Sequence, residues 1–384
     1  MNLESLYRKR TKRLGIKARL HYGARRVFFI LDRATRKFPG DIPLWMQYIE
    51  FAKHEKSSGV LAKTFAAALK LHPTKPELWV YAARHAVEEN ADITEARSHM
   101  QRGLRFCKKS KLMWREYAKL EMVFVAKVYM RRELLGIDKP AQAEKEDDGD
   151  NTMALPIVTA EDLNPDLKKK DQSLDMIALE NIDTNPALNG ALAIAIFDQA
   201  MREIPNDAKF AMEFFELFLE FARLRFAPKL LEHALKYMLD VAPTDAEVLW
   251  TAVRMPLIGV ATTDPLFPAR LQTVLENMSA AVEKVEDRAK LYAAFTAHFT
   301  SLLQEELDPA VAQVLAASVT KYFKAAEAEG SLTADMYAAW ARLNLRREKP
   351  TLALRIASSG LAKFLNDEEL QRITAQLETT SPSA

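Results

Sequence analysis

Apolar residues recur along this chain at the spacing of one helix face, and the arrangement repeats about every 34 residues. Trp45, Trp79 and Trp114 lie 34 and 35 residues apart. Between them come stretches in which a bulky residue stands three places before a small one, as Phe65 stands before Ala68. This spacing places both side chains on the same face of a helix. The period is typical of stacked helical hairpins, in which no hairpin buries its apolar face alone.

The first half of the chain carries the clearest punctuation between predicted helices. A Pro-Gly pair ends a helix at 25–38, which is the second of a hairpin whose first helix lies earlier or is missing. A turn at 57–59 separates the next two helices. Asp92 is predicted to cap the helix that follows it. Trp114 opens a longer helix, which has no stop signal before about residue 136.

The pattern returns in the second half and then weakens. A phenylalanine-rich helix is predicted at 210–226, and because its rings cover more than one face it should be buried between neighbours or meet a partner. Trp250 opens a short helix that Pro256 ends. Three longer amphipathic helices are predicted at 268–285, 287–306 and 309–327. A last hairpin carries Tyr337 and Trp340 in its first helix and Ala357 and Gly360 in its second.

These changes of pattern predict the organisation of the chain. Residues 138–172 contain an acidic run with few apolar side chains and several prolines, a composition that cannot bury enough surface to offset the entropy of ordering. The predicted segments are a basic N-terminal helix with repeats at 1–136, a flexible insert at 137–175, further repeats at 176–255, degenerate helical repeats at 256–379 and a loose tail at 380–384.

The recurring rings and small residues are interpreted as packing positions between successive helices. Each small residue is expected to leave room for the aromatic ring of the next unit. Exposed tryptophans that stack on nucleobases are the alternative, but the rings keep register with the repeat, which favours burial. The predicted packing residues are Trp45, Tyr48, Phe65, Ala68, Trp79, Met100, Gly103, Trp114, Tyr117, Phe197, Ala200, Leu231, Ala234, Trp250 and Trp340.

Composition supports an all-α fold and narrows the class of protein. Glycine is scarce, at 11 of 384 residues, and helix-forming residues dominate. Cys107 is the one cysteine, which excludes an internal disulfide and indicates a reducing compartment. The sequence has no apolar run of about 18 residues, so a soluble intracellular protein is expected. The nearly balanced charge of +2 does not indicate a nucleic-acid binder for the chain as a whole.

Motifs of catalysis and cofactor binding are missing from the sequence. Neither GxxxxGK[ST] nor GxGxxG occurs, and the seven histidines never take the HExxH spacing of a zinc site. Cys107 precedes two lysines, which would favour reactivity, although a passive buried thiol is the simpler interpretation. The sequence therefore predicts no catalytic residue, no cofactor, no metal and no small-molecule substrate.

A strongly basic segment opens the chain. Residues 8–37 hold twelve lysines and arginines against one acid, Asp32. Such a cluster is either a solvated helix face or a contact for RNA, a partner or a nuclear import factor. The candidate contact residues are Arg8, Lys9, Arg10, Lys12, Arg13, Arg25 and Arg26.

The first helix of the third complete hairpin carries a family pattern. Trp114, Tyr117 and Glu121 match the aromatic, tyrosine and glutamate positions of half-a-TPR (HAT) repeats, whereas Ala52 and Ala86 replace the acid in the two earlier units. The stretches at 1–15, 38–53 and 131–136 resemble the HAT-repeat subunits of the U3 small nucleolar ribonucleoprotein. Members of that family carry a further segment before this point, so the resemblance implies a truncated chain.

The resemblance implies a right-handed superhelical solenoid that acts as a non-enzymatic scaffold in the nucleolus, within the nucleus. The implied partners are other small-subunit processome proteins, among them WD-repeat propellers, and the assembly of U3 snoRNA with pre-ribosomal RNA, contacted directly or indirectly. No membrane is implied. The implied role is in ribosome biogenesis, through the cleavages that release small-subunit ribosomal RNA.

Three alternatives stay open at the level of sequence. One is a HAT scaffold of pre-mRNA splicing or 3′-end processing. Another is direct RNA binding by the basic N-terminal face. The third is an enzyme subunit built on a helical superhelix, of the prenyltransferase α type, but the PxxYxxWxxR units of that class are missing from the sequence.

Overall fold

The computed structural model describes residues 6, 9, 10, 13, 14, 20–134, 188–305, 307–364 and 367–380. The predicted insert at 137–175 and residues 381–384 of the predicted tail lie outside this part of the chain. Within it, every regular element is a helix, so the prediction of an all-α fold is confirmed. The chain divides into two compact units, Met1–Ile204 and Pro205–Ala384.

The first unit is a run of helices in which each helix packs on the next. The helix that carries Trp79 also packs on the helix that carries Trp114, which gives the layered contact of stacked hairpins. The helices are α1 (Leu20–Lys37), α2 (Ile42–His54), α3 (Ser58–Leu71), α4 (Pro76–Glu88), α5 (Ile93–Phe106), α6 (Lys111–Leu134) and α7 (Ala191–Glu203).

The second unit repeats this arrangement. The helices that begin at Ala246, Arg288, Ala334 and Glu368 contact one another in that order, so the hairpin pattern continues through the region where the sequence repeats weaken. The helices are α8 (Ala208–Leu219), α9 (Ala227–Val241), α10 (Ala246–Arg254), α11 (Phe267–Lys284), α12 (Arg288–Leu302), α13 (Pro309–Ala328), α14 (Ala334–Arg346), α15 (Pro350–Lys363) and α16 (Glu368–Thr380). A 3-10 turn at Met255–Leu257 follows α10.

Aspartates begin many of these helices. The Asp92 carboxylate accepts a hydrogen bond from the Glu95 backbone N–H at 2.9 Å, which confirms the predicted cap. Asp41 and Asp207 cap α2 and α8 in the same way. These caps satisfy backbone donors that have no partner within the helix.

The phenylalanine-rich helix is shorter than predicted. The prediction of one helix at 210–226 is wrong, because α8 ends at Leu219 and residues 220–226 form turns. Pro228 lies in the first turn of α9, where its fixed φ and missing N–H favour a new helix start over continuation of α8. Phe214, Phe215 and Phe218 are fully buried, as the helix's apolar surface required.

Candidate interaction surfaces

The repeated tryptophans of the first unit are buried and share one hydrogen bond. In each hairpin the indole N–H donates to the backbone carbonyl six residues earlier, in the turn that precedes the helix. The three pairs are Trp45 with Pro39 at 2.8 Å, Trp79 with Pro73 at 2.9 Å and Trp114 with Lys108 at 2.7 Å. Because each ring is buried and its N–H is hydrogen-bonded within the protein, these indoles are packing elements and are not available to stack on a nucleobase.

Two of these turn carbonyls also accept a contact from the residue that ends the second helix of the same hairpin. His72 Nε2 lies 2.7 Å from the Pro39 oxygen, and the Cys107 thiol donates to the Pro73 oxygen at 3.5 Å. Because a carbonyl only accepts, His72 must carry its proton on Nε2. Burial raises the pKa of the Cys107 thiol, and the nearby Glu77 carboxylate adds to the effect. Cys107 therefore ties the end of α5 to the turn before α4 and has little thiolate character.

The residues predicted to pack the repeats all lie buried, from Trp45 in α2 to Trp340 in α14. The aromatic ring that packs against each small residue was expected to come from the next hairpin, and at Gly103 and Gly360 it does not. A Cβ added to Gly103 would lie 2.7 Å from Trp79 Cγ, and one added to Gly360 would lie 2.8 Å from Tyr337 Cβ. Both rings belong to the first helix of the same hairpin, because the two antiparallel helices of a hairpin approach most closely there. The next unit supplies an aliphatic contact instead, from Met113 against Gly103.

Gly103→Ala is expected to destabilise the first unit by about 1 to 3 kcal/mol, because the added methyl group overpacks the contact with Trp79 and Met113. The helix propensity that alanine gains over glycine, about 1 kcal/mol, offsets part of this overpacking cost, so the net loss should lie toward the lower end of the range. Urea unfolding followed by circular dichroism measures it. Gly59→Ala in α3 is the matched control, since its methyl group meets no atom within 4 Å. Equal stability of the two variants would contradict the close approach at Gly103.

Two ion pairs tie α6 to the helices before it. Arg97 Nε and Nη2 donate to the two oxygens of Glu121 at 2.8 and 2.7 Å, and this hydrogen bonding raises the pKa of the Arg97 guanidinium. Glu121 is only 2% exposed. Arg84 of α4 pairs with Glu116 of α6 at 2.7 Å. The bidentate, charge-assisted Arg97–Glu121 pair fixes the orientation of α5 against α6.

Sequence reasoning missed both ion pairs, although one signal for them was present. Glu121 occupies the acidic position of the HAT pattern, seven residues after Trp114 on a helix face that is otherwise apolar. An acid on a buried face needs a cation nearby. Its partner Arg97 lies 24 residues earlier, and no local spacing rule links the two.

The candidate basic contact residues are exposed wherever the structure describes them. Arg8 and Lys12 lie outside the described residues, whereas Lys9, Arg10, Arg13, Arg25 and Arg26 are exposed on helical backbone. On α1, cations and apolar side chains share a single outward face, here called the α1 face. It consists of Arg25, Arg26, Phe29, Ile30, Arg33, Arg36 and Lys37. At 3.6 residues per turn these seven positions span about 140° of the helix.

A groove of about 580 Å³ lies in the first unit between α3, α4 and α5. Its floor is apolar and includes Phe65 and Trp79, and the Phe106 ring stacks on Trp79 with centroids 6.2 Å apart. His85 and His99 line it, and burial lowers the pKa of both imidazoles. Neutral histidines beside aromatic rings suit an apolar segment of a partner.

The second unit buries its tryptophans among aromatic rings. Trp250 makes edge contacts with Phe295, His298 and Phe299, at centroid distances of 6.0, 5.5 and 6.2 Å. Burial, and secondarily the charge of Arg254, lowers the pKa of His298. This cluster joins α10 to α12 and serves packing.

Among the described residues, no group of three or more histidine, cysteine, aspartate or glutamate side chains is placed to hold a metal ion. None of the helices described for this chain combines the length and apolar character that crossing a bilayer requires. The surfaces that remain as candidates for function are the α1 face and the groove.

Comparison with curated proteins identifies relatives of one kind. Over 194 residues the chain is 33% identical to U3 small nucleolar RNA-associated protein 6 of Schizosaccharomyces pombe, which covers 46% of this chain and 40% of the relative. Over 234 residues it is 24% identical to the Dictyostelium discoideum homolog of that protein, covering 58% and 36% of the two chains. The chain thus spans less than half the length of these relatives.

Solved structures give a weaker match. The crystal structure of yeast Tom70 aligns with 94% of this chain and 59% of its own, at 12% identity and a TM-score of 0.30, a similarity too low to support an argument. No family model matches the sequence. The resemblance predicted from the repeats is confirmed by the curated relatives: in the matched region, this chain is similar to U3 small nucleolar RNA-associated protein 6.

Proposed function

We propose that this chain is a non-enzymatic scaffold subunit of the U3 small nucleolar ribonucleoprotein, acting in pre-ribosomal RNA processing in the nucleolus. The observation that carries the proposal is the 33% identity to U3 small nucleolar RNA-associated protein 6 over 194 residues. Its partners are other processome proteins, among them WD-repeat propellers. Small ribosomal subunit biogenesis is the process it serves.

The architecture of each unit supports a scaffold. Stacked hairpins place successive helices at fixed intervals, so several modest contacts form on one rigid body and each raises the effective concentration of the other partners. The groove between α3, α4 and α5 has an apolar floor and a rim with Lys70, Glu95 and Arg102, which suits a short protein segment. Rigidity comes from the turn carbonyls and the Arg97–Glu121 pair, which link neighbouring helices.

Co-purification of RNA tests the proposal. The tagged chain, expressed in cells that contain nucleoli, is expected to enrich U3 snoRNA over the spliceosomal small nuclear RNAs and to co-localise with a nucleolar marker. Trp79→Ala should reduce the enrichment by destabilising the repeats, whereas the exposed substitution Arg355→Gln should leave it unchanged. Enrichment of spliceosomal RNA without U3 snoRNA would overturn the proposal in favour of a splicing scaffold.

A further inference from the structure

The α1 face combines exposed cations with an exposed aromatic ring. Arg25, Phe29 and Arg33 stand four residues apart, so they form one ridge with the ring between two guanidinium groups. The two arginines are about 12 Å apart along the axis. Phe29 is 67% exposed, and its neighbour Ile30 is 62% exposed.

The cations of this ridge are available for a ligand. Arg25, Arg26 and Arg33 have no ion-pair partner among the described residues. By contrast, Arg36 is paired with Asp32 at 2.6 Å, and Lys37 lies over the Phe38 ring at 5.3 Å. The ridge and the adjacent Arg26 therefore present three guanidinium groups around the Phe29 ring.

The rest of α1 explains why the ridge faces outward. Ala24, Leu31 and Thr35 are buried on the opposite side of the helix, against α2. The cations that the structure describes before α1, Lys9, Arg10 and Arg13, are also exposed.

We infer that the α1 face binds single-stranded RNA, with Arg25, Arg26 and Arg33 on phosphates and Phe29 stacked on an unpaired base. The inference deepens the proposed function and rests on it for its setting, since a U3 assembly contains RNA. Alternating cations and aromatic rings is the chemistry of single-strand binding surfaces, in which the backbone follows the charge and bases stack on rings. Duplex RNA offers phosphates but keeps its bases stacked within the helix.

An acidic protein is the rival ligand for the same charges. The proportion of charged to apolar residues on the α1 face favours RNA. Five of its seven residues are cations, whereas the centres of protein–protein interfaces are depleted of charge. Nucleic-acid interfaces are more polar and more positive. Two apolar side chains provide little area for a helix to bury, but one ring is enough for a base.

Fluorescence anisotropy with the purified chain and a labelled, unstructured 12-nucleotide RNA tests the inference. The triple substitution Arg25→Gln, Arg26→Gln and Arg33→Gln is expected to weaken binding at least tenfold and to reduce the slope of log K against log salt by about 2. The control triple Arg270→Gln, Arg346→Gln and Arg355→Gln removes the same charge from exposed positions of the second unit. It should change the affinity less than twofold.

Phe29→Leu separates stacking from charge, because leucine keeps an apolar side chain but removes the ring. Binding of the single strand should weaken about fivefold, the low end of the effect of removing one stacked base. Phe364→Leu, at another exposed ring, is the control and should have no effect. Circular dichroism melts should be unchanged for all these surface variants.

Three results would overturn the inference. They are equal affinity of the two triple variants, equal affinity for a duplex of the same sequence, and tighter binding of an oligoglutamate peptide that Phe29→Leu leaves unaffected. The last would assign the face to an acidic protein. If the chain does not bind bare RNA but still co-purifies with U3 snoRNA, this RNA contact is rejected and the scaffold proposal stands. If it binds bare RNA but does not co-purify with U3 snoRNA, only the scaffold proposal is rejected.

Discussion

Arg97→Met is expected to lower the free energy of unfolding of the first unit by about 3 to 5 kcal/mol. The substitution leaves the Glu121 carboxylate, which is 2% exposed, without the two hydrogen bonds of 2.8 and 2.7 Å that it accepts from the guanidinium. A buried charge without a partner keeps the full cost of its desolvation. Urea unfolding followed by circular dichroism measures the loss.

A double substitution identifies the cause. Arg97→Met combined with Glu121→Met replaces the pair by apolar side chains, which is often neutral in a buried site, so most of the lost stability should return. Arg372→Met is the matched control, because its partner Glu368 lies at 3.4 Å on an exposed face; it should cost less than about 1 kcal/mol. If the double variant is as unstable as Arg97→Met, uncompensated charge is not the cause.

Trp79→Ala is expected to cost a similar amount, about 3 to 5 kcal/mol. The ring is 5% exposed, fits against Gly103 and donates its N–H to the Pro73 carbonyl at 2.9 Å. Its removal leaves a cavity between α4 and α5 and also removes one of the two donors to the Pro73 carbonyl, the other being the Cys107 thiol at the end of α5. Because hairpins stabilise their neighbours, hydrogen exchange should accelerate in α3 and α6 as well as in α4.

Trp79→Phe divides this loss between packing and the hydrogen bond. Phenylalanine retains a ring against Gly103 but has no donor for Pro73, so its cost should be clearly below that of Trp79→Ala. The hydrogen bond itself contributes on the order of 1 kcal/mol. Unchanged thermal melts for Trp79→Ala would contradict the assignment of this ring as a packing element.

Local rules in the sequence located most helices. Asp92 capped the helix it was expected to cap, and Pro256 followed the short helix of Trp250 as predicted. Cap side chains and prolines act within one turn, so their effects are legible in neighbouring residues. The same reasoning failed at 220–226, because a helical pattern of apolar residues continued where the backbone turned toward Pro228. Periodicity alone does not report whether the next helix start lies a few residues away.

Features that join distant positions were decided by the tertiary structure. His72 and Trp45 meet at the Pro39 carbonyl, Arg97 finds Glu121, and Gly103 receives the ring of its own hairpin and not that of the next. The seven residues of the α1 face could be assigned to one side of a helix by spacing, but their exposure depends on which side packs against α2.

The sequence by itself determined the helical repeat, its period and the basic charge of its first part, because spacing of three or four residues is enough to define a helix face. Only packing between helices decided which faces are buried and which partners meet, because those choices depend on groups 24 to 34 residues apart that local propensity does not connect.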